Sequence, residues 1–101
     1  MTHDSIIGKT LEFAYSNETF SIQVLTSSQL KWTRTKGENT GAGDTEDYVY
    51  SQLTSDIAVM TWIEADGLGL SNALNLSNMT VTTHANMGRE VFENAGALRI
   101  T

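Results

Sequence analysis

The stretch Ile57–Leu70, IAVMTWIEADGLGL, decides how this chain is read. It is an apolar strand, an Asp-Gly turn and the start of a second strand. Counted by twos, Ala58, Met60, Trp62 and Glu64 fall on one face, and Ile57, Val59, Thr61 and Ile63 on the other. Asp66-Gly67 is a hairpin signal, expected to form a type I′ turn. The carboxylate that ends the apolar run, Glu64, is either an exposed acid before a turn or an acid placed inside beside a tryptophan.

The same alternation extends in both directions from this stretch. Upstream, Leu11, Phe13 and Tyr15 share a face, as do Phe20, Ile22 and Val24, then Leu30, Trp32 and Arg34. Tyr48 and Tyr50 alternate with Val49. Downstream, Leu68, Leu70, Asn72, Leu74 and Leu76 form one row, and Met79, Val81 and Thr83 another. Ser16-Asn17-Glu18, Ser27-Ser28, Ser55-Asp56 and Ser77-Asn78 supply the turns in a chain that has no Pro. Gly37–Asp44, GENTGAGD, reads as a polar, mobile loop, and Asn86–Gly96 as a short helix or irregular cap. Leu98 and Ile100 close the chain as a last strand. This gives an all-β domain spanning residues 1–101, with about eight strands joined by hairpin-short connections. An antiparallel up-and-down meander of that size is most stable as a closed barrel, which removes its exposed edges. Such a barrel is either filled by side chains or holds one small ligand.

Composition excludes several function classes. The 101 residues are 40% hydrophobic and 18% charged, with a net charge of −6, which fits one folded domain. Six scattered Lys and Arg residues argue against a nucleic-acid partner, which needs clustered cations. No apolar run approaches the ~20 residues of a membrane-spanning helix. The start, MTHDSIIGKT, lacks the form of a signal peptide. No cysteine is present, and the two histidines, His3 and His84, are isolated, which argues against a zinc site. The glycine-rich loop lacks the Gly-Lys-Ser/Thr ending of a phosphate-binding loop. No cofactor or metal is expected, and the cytoplasm is the expected compartment. Without a secretion signal, the sequons at Asn17, Asn75 and Asn78 carry no weight.

The order IIGKTLEFAYSNETF, a glycine-rich loop, then VMTWIEADGLGLSNALNLSNMTVTTH resembles the MoaF-like domains, named after molybdenum cofactor biosynthesis protein F. These are similar to bacterial phenolic acid decarboxylases, and both belong with the lipocalin-like (calycin) barrels. The resemblance covers most of the chain. It is carried by Ile7-Gly8, Tyr15-Ser16-Asn17 and Trp62-Ile63-Glu64. It implies a lipocalin-like barrel in which Glu64 and Tyr15 occupy the decarboxylases' cavity positions. The first cavity tyrosine of those enzymes falls on Phe13. Their cavity arginine falls near Gly41, where this chain has no basic residue. Related barrels often pair, so a homodimer is a candidate assembly.

Three functions follow. The first is a small-molecule-binding barrel, its ligand a small apolar or aromatic acid. Phe13, Trp32, Met60 and Trp62 would wall the cavity, Tyr48 and Tyr50 would offer hydroxyls, and Arg34 would pair a carboxylate through its planar fork. The second is a small lyase or isomerase in which Glu64, its pKa raised by burial, works as general acid or base with Tyr15. The third is a protein-interaction module with a filled barrel. Each residue also has a plain role: the aromatics as core, Arg34 as a surface strand end, His84 as a solvated side chain.

Overall fold

The computed structural model describes residues 1–101. It has one short helix, α1 (His3–Ile6), and nine strands. These are β1 (Thr10–Ala14), β2 (Thr19–Val24), β3 (Gln29–Lys36), β4 (Gly43–Asp47), β5 (Val49–Gln52), β6 (Ile57–Ile63), β7 (Gly69–Asn75), β8 (Thr80–Met87) and β9 (Glu90–Ile100). All pairings are antiparallel, in the order β4-β3-β2-β1-β9-β8-β7-β6-β5. The first and last strands meet, Leu11 opposite Ile100 and Ala14 opposite Ala97.

The sheet's two edges, β4 and β5, are consecutive in the chain. A single residue, Tyr48, separates them. β4 pairs with β3 and β5 with β6, so one bent strand crosses from one edge to the other at Tyr48 and nearly closes the barrel. The ninth strand is β4, in the residues just before the strand expected at Tyr48–Tyr50, which is β5. Its start at Gly43 also takes the end of the segment Gly37–Asp44, read as loop, into the sheet.

Two turns differ from expectation. Asn86–Gly96 is neither helix nor cap. It completes β8 and makes the first part of β9, with Asn86 opposite Val91 and Met87 opposite Glu90. The cause is the Gly88-Arg89 pair. Gly88 has φ 58° while Arg89 does not have positive φ, the pattern of a two-residue turn that needs Gly at its first central position. At the other hairpin, only Gly67 (φ 93°) is left-handed, and Asp66 is not. Gly67 N donates to Glu64 O (2.8 Å), and Glu64 N donates to Leu68 O (2.9 Å). The loop thus has three residues with Gly in the left-handed position, rather than the two-residue type I′ form.

The inner face is the one carrying Ala58, Met60 and Trp62, all buried. At one end the barrel is packed solid by Leu11, Val24, Leu30, Leu74, Val81 and Leu98. The helix α1 adds Ile6 to that core. A capping box holds α1: Ser5 N donates to Thr2 Oγ1, and Thr2 N donates to Ser5 Oγ. Each such aliphatic side chain contributes about 1.5–3 kcal/mol by burial, so this end is where the fold's stability concentrates.

Candidate functional site

Two residues further along each strand the inner rows change character. After Leu11 come Phe13 and Tyr15, and after Leu30 come Trp32 and Arg34. After Met60 come Trp62 and Glu64, and after Val81 come Thr83 and Ala85. Except for the small Ala85 these side chains are aromatic or polar, and together they leave a cavity of about 220 Å³ at this end. Leu68, Leu70, Phe92 and Glu93 complete its walls.

Glu64 stands at the end of the inward row and is half-buried. The Trp62 Nε1–H points to its Oε2 at 3.4 Å. Burial pushes its carboxyl above the usual carboxylate range, because leaving water disfavours the charged form. The Trp62 indole draws it partly back; nearby Asp66 and Glu46 push it up and Arg34 pulls it down. A second indole is tied in the same way: Trp32 Nε1 donates to Glu46 Oε2 at 3.0 Å.

Arg34 is the only cation on the cavity wall. Its guanidinium lies over the Phe20 ring, 5.1 Å from the centroid. Its Nη1 donates to Glu38 O (3.0 Å), and its Nε faces Glu18 Oε2 at 3.5 Å. That Nε is buried and makes no hydrogen bond. Phe20 also meets Tyr15 and Trp32 edge-on, with centroids 6.1 and 6.3 Å away.

Tyr15 begins a polar chain across the cavity wall. Its hydroxyl meets Thr83 Oγ1. Thr83 Oγ1 donates to Asn72 Oδ1 (2.8 Å), and Asn72 Nδ2 donates to Met60 O (3.1 Å). Burial raises the Tyr15 phenol above its ordinary pKa; the Thr83 hydrogen bond opposes this, and the Glu18 charge adds to it.

Of the residues expected at the site, Phe13, Tyr15, Trp32, Arg34, Trp62 and Glu64 line this cavity together. Three do not. Met60 lies one inward position deeper, fully buried in the core, and contributes only its carbonyl to the polar chain. Tyr48 and Tyr50 lie outside the cavity lining, beside α1. His3 stacks on Tyr50 (4.2 Å between centroids) and its Nε2 is 2.7 Å from the Tyr48 hydroxyl. The Tyr48 hydroxyl donates to Thr26 O at 2.7 Å. His84 is exposed and faces Glu93 at 3.2 Å. Asn72 and Thr83 are cavity residues that were not expected. Their signal was present, since each is a polar residue inside an otherwise apolar row.

A solved structure shares this fold. The crystal structure of a "putative beta-lactamase" from Burkholderia vietnamiensis superposes with a TM-score of 0.86. The match covers 95% of each chain at 21% identity, so it establishes the fold alone. No curated protein matches the sequence. The MoaF-like family model matches residues 7–99, which span β1 to β9 and carry every side chain that lines the cavity, and the chain belongs to that family.

Proposed function

We propose that this chain is a small-molecule-binding barrel whose ligand is a small apolar or aromatic acid. The observation that carries the reading is the cavity itself: one end of an otherwise packed barrel leaves about 220 Å³ walled by Phe13, Phe20, Trp32 and Trp62. An apolar cavity of about 150 Å³ takes up benzene, so the space suits one substituted ring. Aromatic walls contribute affinity by burial, and the few polar groups fix orientation. Arg34 supports the acidic group, because it is the one cation on the wall and a planar guanidinium pairs a carboxylate well. Glu18, Glu64 and Glu93 also line the wall, so an anion is held best when Glu64 carries a proton. Affinity for an acid therefore falls as pH rises through the Glu64 pKa.

The test is a thermal-shift and titration series with benzoate and phenylacetate between pH 5 and 8. A ligand bound only by the folded state raises the melting temperature by mass action. Saturable shifts that weaken with rising pH and disappear in Arg34→Met support the reading. No shift with any aromatic acid in wild type overturns the acid, and no shift with neutral aromatics as well overturns binding.

One observation favours a second reading, proton transfer. Glu64 is half-buried and burial raises its pKa, the direction that prepares a carboxyl to give or take a proton. The lining holds no Ser, Cys, Lys or His, so chemistry here would go through Glu64 rather than a covalent nucleophile of those types. Unchanged turnover of a candidate substrate by Glu64→Gln would end this reading.

A further inference from the structure

We propose that Tyr15 offers the cavity an acceptor and no proton, so that the occupant is selected for a hydroxyl or N–H that donates to the Tyr15 oxygen. This rests on the reading that the cavity holds a ligand, and adds the polarity of a second contact.

The argument starts at the far end of the polar chain. The Met60 carbonyl has no proton, so the Asn72 atom facing it at 3.1 Å must be the amide nitrogen. The Asn72 oxygen is then the atom facing Thr83, at 2.8 Å. That oxygen only accepts, so the single Thr83 proton is committed to it. Thr83 has no second proton to give, and the hydrogen bond between Thr83 and Tyr15 therefore uses the Tyr15 proton. Each step leaves one orientation, fixed from a backbone atom that cannot move without moving β6.

Burial keeps the chain from reversing. Asn72 is 1% exposed and Thr83 5%, so water does not replace a lost partner. Turning the Asn72 amide over would set two oxygens against each other at Met60 and break the one hydrogen bond to that carbonyl. No other donor of the protein reaches the Tyr15 oxygen, and Tyr15 lines the cavity. Its free lone pair is thus an unfilled hydrogen-bonding site in an aromatic pocket. A ligand donor fills it; a ligand carbonyl or ether oxygen placed there meets only lone pairs. A site built to accept a proton from its ligand rejects the analogue lacking it more strongly than an apolar wall rejects a misfit.

Three one-ring probes of similar size separate the possibilities: phenol, which donates; benzonitrile, which only accepts; and toluene, which does neither. Their dissociation constants are read by chemical-shift titration of the isotopically labelled protein. In wild type, phenol is expected to bind at least about tenfold tighter than benzonitrile, a factor that matches one hydrogen bond of about 1.4 kcal/mol. Tyr15→Phe brings the two to within about threefold. Thr83→Val removes the acceptor of the Tyr15 proton and frees that proton for the ligand, so benzonitrile gains and the preference narrows or inverts. Thr83→Ser keeps the wild-type order. Equal binding of phenol and benzonitrile by wild type overturns the proposal while leaving the ligand-binding reading intact. If none of the probes binds, the proposal falls, and the benzoate and phenylacetate series decides separately whether the cavity holds a ligand. Should Thr83→Val not fold, the wild-type and Tyr15→Phe ratios decide the matter alone.

Discussion

Each end of the barrel carries a tyrosine hydroxyl, and the two are used differently. At the packed end, Tyr48 donates to Thr26 O and meets His3 Nε2. Because Tyr48 has spent its proton on a carbonyl, His3 must be the donor in that contact. Both capacities of the hydroxyl go to the chain itself. At the open end, Tyr15 spends its proton on Thr83 and has no protein donor for its oxygen. Burial raises both phenols above their ordinary pKa, so both stay neutral. The difference lies in what surrounds them. Around Tyr48 the fold supplies a bend, a helix and a buried Ile6; around Tyr15 it supplies a cavity. A hydroxyl satisfied within the chain marks a structural joint, and one left half-satisfied marks a place for something else.

The strongest way to break this comparison is at the packed end. Leu11 is fully buried in the core and is not part of the cavity wall. Leu11→Ala is expected to cost about 2–5 kcal/mol, from lost burial and the void left behind. A change of that size lowers the melting temperature by about 10–25 °C in a 100-residue domain. Phe13→Leu at the cavity wall keeps a branched aliphatic side chain and removes fewer buried atoms, so its cost is expected to be smaller, about 1–2 kcal/mol. Denaturant melts of the two variants side by side check this. Equal losses would mean that the open end carries as much stability as the packed one.

A smaller effect sharpens the role of the joint. Tyr48→Phe keeps the ring in the core and removes only the hydroxyl. Thr26 is exposed and His3 partly so, which lets water take over both partners. The expected cost is therefore about 0.5–1.5 kcal/mol, the net worth of ordinary hydrogen bonds. Hydrogen exchange should show the loss concentrated in α1 and at the β4–β5 bend. A loss spread evenly over all strands would contradict the idea of a local joint.

Much of this was legible from alternation alone. Period-two rows gave the inner faces, and they placed Glu64 in line with Met60 and Trp62. Alternation gives the face of a strand but not the depth along the barrel axis. That is why Met60, on the correct face, sits below the cavity, and why Tyr48 and Tyr50 were grouped with residues at the opposite end. Depth depends on stagger between strands, which only long-range pairing sets. The bend at Tyr48 was hidden because nothing within the short run Tyr48–Tyr50 marks a change of partner strand. Asn86–Gly96 reads from its sequence as a short helix or irregular cap because the first part of β9 is exposed and carries no apolar alternation. Asn72 and Thr83 were visible as polar breaks in apolar rows, yet a row pattern does not show that two such breaks, on neighbouring strands, face each other directly.

The smallest predicted effect concerns Glu64 and separates the site from the scaffold by pH. Burial raises its pKa in the folded chain above the value it has when unfolded. Below the unfolded value the carboxyl is protonated in both states and leaves stability unaffected. As pH rises from there toward the folded value, the unfolded chain releases the proton while the folded one retains it, and stability falls. Above the folded value the loss is complete and constant. Glu64→Gln cannot lose a proton, so it removes this slope and should be slightly more stable than wild type near neutral pH and indistinguishable from it at low pH. The half-exposed position and the Trp62 N–H keep the difference small. Paired urea melts across pH 4 to 8 read it directly. A Glu64→Gln curve that runs parallel to wild type throughout would show that the carboxylate sits in the rim at no electrostatic cost, and the cavity would then lack the strained acid that distinguishes it from the packed end.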